Sequence, residues 1–129
     1  MEQQFNYEPM DIEISVPKKG IILKEKSVIA LQKDDGEVVA VGNKAAHGSF
    51  EEAKIQMCSP LKEGKIENVE VAEKLLVSLI KKAAGDVSGV RMGLVLAKRL
   101  PDIQIDTYKK ILKSAGAREV LLLPNDIAM

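Results

Sequence analysis

The sequence is poor in aromatic residues and has no excess of either charge. It contains no Trp, two Phe and two Tyr residues, at Phe5, Tyr7, Phe50 and Tyr108. Proteins that bind single-stranded nucleic acid stack bases on aromatic side chains, so this shortage argues against that function. The 19 basic residues balance the 19 acidic residues, which leaves no overall attraction for polyanions. We therefore expect no nucleic-acid partner.

Cysteine, histidine and long apolar runs are also scarce. Cys58 is the single cysteine and His47 the single histidine, so no intramolecular disulfide can form, and two such side chains are too few ligands for a zinc site. No apolar run approaches the roughly 20 residues that span a bilayer. The first residues show neither the basic nor the apolar region of a secretory signal. These observations predict a cytoplasmic protein without a metal or another cofactor.

Apolar patterning predicts strands in the first half of the chain. Ile12, Ile14 and Val16 alternate with polar residues, as in a strand with one buried face, and Pro17 ends the run. The dipeptide Asp35-Gly36 favours a tight hairpin turn. Further strands are predicted at residues 21–23, 28–31, 37–41 and 54–58, a helical turn at 43–47 and a turn at 62–65.

The second half alternates helices and strands. A helix is predicted at 69–84, with Asn68 as its N-cap and Gly85 after its end. Its apolar positions recur at steps of three and four: Ala72, Leu75, Leu76, Leu79, Ile80 and Ala83. A buried strand at 90–96, a helix that begins at Asp102 or Asp106, and a buried parallel strand at 120–123 follow.

The order of these elements predicts an α/β fold with a mixed sheet and flanking helices. The sheet is expected to be antiparallel in its first part and parallel later. A chain of 129 residues has room for one domain, so residues 1–129 are expected to form a single domain. The shorter elements at about 36–62 indicate a small inserted lobe.

Four segments resemble the first domain of the MreB family, the actin-like proteins of rod-shaped bacteria. The resemblance covers about residues 11–128 and corresponds to the N-terminal half of the family. It implies the actin-like, ribonuclease H-like fold of that first domain. The segments are residues 20–31, Val-Gly-Asn-Lys-Ala at 41–45, Pro-Leu-Lys-Glu-Gly-Lys-Ile at 60–66 and Ala-Gly-Ala-Arg-Glu-Val at 115–120.

The phosphate loop of that family is altered in this sequence. Its Asp-Leu-Gly-Thr motif falls on residues 6–9, which read Asn-Tyr-Glu-Pro. Tyr7 is bulky where backbone N–H groups must approach phosphate, Glu8 adds a like charge, and Pro9 lacks an N–H donor. The resemblance therefore implies a degenerate nucleotide site.

Other parts of the family's catalytic machinery are also replaced. The strand at 120–123 resembles one that the family follows with Glu-Glu-Pro, whereas this chain has Pro124-Asn125-Asp126. A shifted role for Asp126 is the lesser alternative. Residues 97–99, Ala-Lys-Arg, stand where the family has Pro-X-Gly, and the second phosphate loop belongs to the half of the family fold that the resemblance does not cover. Hydrolysis requires positioned phosphate, metal and water, so we expect no enzyme activity and no catalytic, cofactor-binding or metal-binding residues.

The resemblance implies a non-catalytic protein that acts in or on a bacterial actin-like cytoskeleton and so in cell shape. It would be a filament subunit, a cap or a partner of full-length MreB. The alternatives are a protein-binding module that reuses the fold, and half of a split actin-like ATPase. A homodimer through the apolar surface of residues 120–123 is also expected. The loop at 84–89 has Val87 as its apolar residue between its glycines, so membrane insertion is not expected.

Several single residues could have a catalytic, metal-binding or partner-binding role, and for each of them a structural role is preferred. His47 is expected at the surface or in a turn, and Cys58 is expected to be a buried small apolar residue. The pairs Lys81-Lys82 and Lys109-Lys110 are expected on solvated helix faces, and Asp34-Asp35 in a hairpin turn rather than at a metal.

Overall fold

The computed structural model describes residues 10–16, 21–85, 89–96 and 99–123. Nine strands and three helices lie within these ranges. In chain order they are β1 (Asp11–Val16), β2 (Ile21–Lys26), β3 (Ile29–Gln32), β4 (Val38–Val41), α1 (Asn43–His47), β5 (Ile55–Cys58), β6 (Leu61–Lys62), β7 (Lys65–Ile66), α2 (Val69–Ala84), β8 (Val90–Val95), α3 (Asp102–Ser114) and β9 (Ala117–Leu123). The predicted α/β class is confirmed.

The first half is antiparallel, as predicted. β1 pairs with β2, and β3 lies between β4 and β5 in a three-stranded sheet. The predicted hairpin turn connects β3 to β4, and Gly36 has a φ of 73° in that turn. Because β4 and β5 both pair with β3, much of the segment at 36–62 shares a sheet with β3. The separate lobe that we expect for 36–62 therefore stays a prediction.

The predicted end of the second strand at Leu23 is wrong. β2 continues through Lys26 and is followed by the short break at Ser27 and Val28. Charged residues fit in this strand because its side chains alternate: Lys24 is exposed, Glu25 is buried and Lys26 is half-buried. The short strands β6 and β7 on either side of the predicted turn at 62–65 were not expected.

Helix α2 has the predicted bounds and caps. The Asn68 side chain accepts a hydrogen bond from the Val71 N–H at 3.1 Å, and the Gly85 N–H donates to the Lys81 carbonyl at 2.8 Å. The buried residues of α2 are those expected from its periodicity: Ala72, Leu75, Leu76, Leu79, Ile80 and Ala83.

Helix α3 begins at Asp102 and is tied to the β6–β7 hairpin by two polar side chains. The Gln104 side chain accepts a hydrogen bond from the Ile66 N–H at 2.8 Å and donates to the Ile66 carbonyl at 3.3 Å. The Tyr108 hydroxyl donates to the Gly64 carbonyl, and burial raises the pKa of Tyr108 to about 12. These contacts hold the start of α3 beside the segment that leads into α2.

The last strands form a parallel pair with helices on one face. β8 pairs with β9, and Ile80 of α2 and Leu112 of α3 pack with Val120, Met92 and Leu94. Among the described residues, no helix is long and apolar enough to cross a membrane.

The expectation that both parallel strands are fully buried is wrong. Val95 is 37% exposed, and Leu121 and Leu122 are each 45% exposed. A parallel strand pair is normally covered on both faces. In the part of the chain that the structure describes, α2 and α3 cover one face of β8–β9 incompletely, since Leu122 shares that face with Val120 and Leu94. Val95 and Leu121 on the other face are also in contact with solvent.

Candidate functional site

The positions at which the resemblance places the altered nucleotide site lie outside the described residues. These positions are residues 6–9, 97–98 and 124–126. Val87, in the loop considered for membrane contact, is also outside them. The candidate sites within the described residues are therefore a buried polar cluster around Glu25 and several exposed apolar surfaces.

Glu25 is the one buried charged side chain among the described residues, at 3% exposure. The alternation of β2 turns it inward, toward the corner where β4 meets α1. Its Oε1 accepts a hydrogen bond from the Asn43 N–H at 2.9 Å, and its Oε2 lies 2.6 Å from the Lys82 Nζ. The Glu25 carboxylate thus joins β2, the start of α1 and the end of α2.

The surroundings of Glu25 keep its carboxyl group ionised. Burial raises the pKa of Glu25, because it removes the charged form from water. The hydrogen bonds from Lys82 and the Asn43 N–H, and the charges of Lys82 and Lys44, act in the opposite direction and prevail, so the pKa lies below its ordinary value of 4.5. A carboxylate with both oxygens paired to protein groups is poorly suited to act as a general base.

Gly42 and Asn43 fit closely against Glu25. Gly42 has a φ of 66°, and a Cβ atom there would lie 2.1 Å from the Glu25 Oε1. The Asn43 Oδ1 accepts a hydrogen bond from the Lys26 N–H at 3.0 Å, and its Nδ2 donates to the Lys24 carbonyl at 3.4 Å. The Val-Gly-Asn-Lys-Ala segment therefore uses glycine for close approach and asparagine to bind the backbone of β2.

Several large aliphatic side chains are exposed. Ile103, in the first turn of α3, is 74% exposed, and Val69, the first residue of α2, is 54% exposed. The bonds from Gln104 to Ile66 bring the starts of these helices to the same end of the molecule. Together with the uncovered side of β8–β9, these side chains offer surfaces for protein contact rather than chemistry.

Comparisons with known proteins decide the family. A family-wide sequence model described as MreB/Mbl protein matches residues 10–129. The chain belongs to the MreB/Mbl family. It is 34% identical over 112 residues to the cell shape-determining protein Mbl of Bacillus subtilis (strain 168) and 37% identical over 112 residues to the Mbl of Bacillus cereus (strain ATCC 10987 / NRS 248). Each alignment covers 84% of this chain and 34% of the relative, so the chain spans about a third of the length of these curated MreB/Mbl proteins.

Solved structures of MreB5 of Spiroplasma citri have the same fold. The form bound to ADP superposes with a TM-score of 0.74 at 22% identity, over 91% of this chain and 36% of that protein. The form bound to AMPPNP gives a TM-score of 0.72 with the same identity and coverage. The MreB resemblance and the actin-like fold expected from the sequence are confirmed.

The Lys82 side chain corrects the prediction of a fully solvated lysine pair in this MreB/Mbl chain. Lys81 is exposed as expected, whereas Lys82 makes the ion pair with Glu25 while its side chain stays 41% exposed. Sequence reasoning missed the pair because it ended β2 before Glu25. The alternation that begins at Leu23 was the available signal, since it places Glu25 on the inner face.

The remaining single residues are placed as structural elements. His47 is exposed at the end of α1, and Lys110 is exposed on α3. Cys58 is half-buried against the Leu75 and Leu79 cluster, and burial raises the pKa of its thiol, which keeps the thiol protonated. Lys109 is half-buried, not fully solvated as expected. Asp34 is exposed in the hairpin turn, as predicted, and the Asp35 side chain accepts a hydrogen bond from the Glu37 N–H. No group of three or more His, Cys, Asp or Glu residues in the described ranges is close enough to hold a metal.

Replacing Lys82 with Met is expected to destabilise the fold, because it leaves the buried Glu25 carboxylate without its charged partner. We expect a loss of about 1–3 kcal/mol in the free energy of unfolding at pH 7, measured by urea denaturation. Since the pKa of Glu25 is lowered in the folded state, the stabilisation is present above pH 4.5 and disappears as the pH falls through the folded pKa. The difference between Lys82→Met and the wild type should therefore shrink in acid. Lys81→Met, one residue away and exposed, should change stability by less than about 0.5 kcal/mol.

Replacing Gly42 with Ala is expected to cost more than the same change at Gly64. Both glycines have a positive φ, 66° and 89°, so alanine is strained at each, and the ψ of −136° at Gly42 adds to the strain there. At Gly64 nothing lies within 4 Å of the added Cβ, whereas at Gly42 the Glu25 carboxylate must move. Chemical denaturation of both variants measures the extra cost at Gly42, to which the contact with Glu25 and the backbone strain both contribute. Equal losses for the two variants would show that this contact contributes nothing.

Proposed function

We propose that this chain is a non-catalytic MreB-type protein that acts by protein contact in or on a bacterial actin-like cytoskeleton. It acts as a filament subunit, a cap or a partner of a full-length MreB or Mbl, in the cytoplasm of the cell. The proposal is supported by membership of the MreB/Mbl family and by relatives named as cell shape-determining proteins.

The sequence supports the non-catalytic part of this proposal. The MreB5 structures of Spiroplasma citri are bound to ADP and to AMPPNP. In this chain the corresponding phosphate loop reads Asn-Tyr-Glu-Pro at residues 6–9, with a like charge at Glu8 and no N–H donor at Pro9. The buried carboxylate that the structure describes, Glu25, has both oxygens engaged by protein groups.

The exposed Ile103 is the observation that carries the contact function. An isoleucine that is 74% exposed gains from burial against a partner, and Val69, at 54% exposure, is a second exposed aliphatic residue. Charged residues flank Ile103 along α3, with Asp102 and Asp106 near its start and Lys110 and Lys113 near its end. An apolar side chain with polar surroundings is the usual anatomy of a non-obligate interface.

Titration of the 129-residue chain with ATP and Mg²⁺ is expected to give no saturable heat, because the residues at 6–9 oppose the binding of phosphate. Isothermal titration calorimetry is the measurement, with a full-length Mbl as the control that reports active nucleotide. Saturable ATP binding by this chain, or phosphate release above the rate without protein, would contradict the non-catalytic assignment.

The chain is expected to sediment with polymerised full-length Mbl and to stay in the supernatant without it. Ile103→Lys should reduce the amount in the pellet at least severalfold, because a lysine at the contact loses the burial of the isoleucine and adds a charge. Quantified high-speed pelleting measures both effects, and electron microscopy reports filament length.

Leu121→Lys is the matched control for Ile103→Lys, since it makes the same change at another exposed aliphatic residue. It should pellet like the wild type. Absence of the wild-type chain from the pellet, together with unchanged filament length, would reject the proposed function.

A further inference from the structure

The side of β8–β9 that faces away from α2 and α3 has a surface that the proposed filament contact does not use. Alternation along the two strands puts Met92, Leu94 and Val120 on the helix side. It puts Arg91, Gly93 and Val95 of β8 on the opposite side, with Glu119 and Leu121 of β9. We call these five residues the outer sheet face. All five are exposed, and the apolar members Val95 and Leu121 are 37% and 45% exposed.

The strand register gives the outer sheet face a defined shape. Gly93 lies directly opposite Leu121, so a dip without a side chain stands beside a protruding leucine. Two residues earlier Arg91 lies opposite Glu119, and the Arg91 Nε is 3.1 Å from the Glu119 Oε1. Neighbouring strands are about 4.8 Å apart, so the two residues of each opposite pair lie side by side on this face, one on β8 and one on β9.

We propose that the outer sheet face binds the same face of a second copy of this chain, around a two-fold axis parallel to the strands. Such an axis exchanges left and right between the facing copies. Leu121 of each copy then lies over Gly93 of the other, and Arg91 of each lies over Glu119 of the other. One symmetry operation satisfies both the shape and the charge, which is the condition for an isologous interface.

The charge of the surrounding surface permits this contact. Arg91 and Glu119 form an ion pair and cancel, so the outer sheet face carries no net charge. Two copies that meet through this face therefore bring together balanced charges. A partner with a single strong charge would have no such match.

The size of the face predicts a weak dimer. Six residues at about 3.3 Å along two strands about 4.8 Å apart give a surface of roughly 200 Å² per copy. This is far below the roughly 800 Å² per partner of a standard interface. The dimer should therefore form in a concentration-dependent way.

Sedimentation equilibrium of the 129-residue chain over a wide concentration range tests the proposal. The wild type should fit a monomer–dimer equilibrium. Leu121→Lys should raise the dissociation constant at least tenfold, since it replaces the apolar knob with a charge, while Ile103→Lys should leave it unchanged. Circular dichroism confirms that each variant is folded. A wild type that stays monomeric throughout, or that forms larger aggregates without a dimer, overturns the proposal.

Two further variants distinguish the proposed contact of Leu121 with Gly93 of the other copy from nonspecific apolar association. Gly93→Leu adds apolar area but fills the space that Leu121 of the other copy occupies, so we expect weaker dimerisation. Stronger association of this variant would overturn the proposed contact. Arg91→Glu should weaken the dimer by like charge, and the double variant Arg91→Glu, Glu119→Arg should restore it. Failure of this rescue counts against the axis.

These outcomes are independent of the filament proposal. Leu121→Lys tests the dimer and leaves pelleting intact, whereas Ile103→Lys does the reverse. Loss of both activities in either variant would overturn the assignment of the outer sheet face to a separate dimer contact.

Discussion

The wide apolar face of α2 is the constraint on which the rest of the structure depends. Leu75 and Leu79 pack against the antiparallel strands, Leu76 packs against the β6–β7 hairpin and α3, and Ile80 packs against β8–β9. One helix therefore joins three apolar clusters that belong to different sheets. Because each cluster contains residues of α2, a polar substitution on the apolar face of α2 would loosen all the layers at once. Burial of each aliphatic side chain contributes about 1.5–3 kcal/mol, which accounts for the apolar character of this face.

The ion pair between Glu25 and Lys82 adds a directional link to this apolar framework. Burying a carboxylate carries a desolvation penalty, and the ion pair offsets part of this penalty rather than giving a large net gain in stability. Apolar contacts allow sliding between layers, whereas the Glu25 carboxylate must meet the Asn43 N–H and the Lys82 Nζ at fixed positions. The Gly42 backbone closes against the same carboxylate. We interpret the pair as a device that fixes the corner between β4 and α1 against the end of α2.

The sequence predicted the features that depend on local rules. The bounds and buried face of α2 follow from a period of 3.6 residues, an Asn cap and a terminal Gly, and all of these act within the helix itself. The end of β2 is harder to predict, because a Lys-Glu-Lys run resembles a break between strands although alternation allows it within a strand. The ion pair of Lys82 is not predictable from local rules, because its partner Glu25 is 57 residues earlier in the chain. The exposure of Leu121 could not be predicted from an apolar run, since the run does not say which faces other elements cover.

The two exposed apolar surfaces lie on different sides of the molecule, and this separates their roles. Ile103 belongs to the helix layer, while Leu121 points away from that layer on the far side of β8–β9. A partner on one surface therefore does not block the other, and a dimer through the outer sheet face would carry two outward-facing Ile103 side chains. Because the outer sheet face is small and the dimer is weak, each copy meets a filament through its own Ile103, so the two contacts act separately and without any nucleotide chemistry.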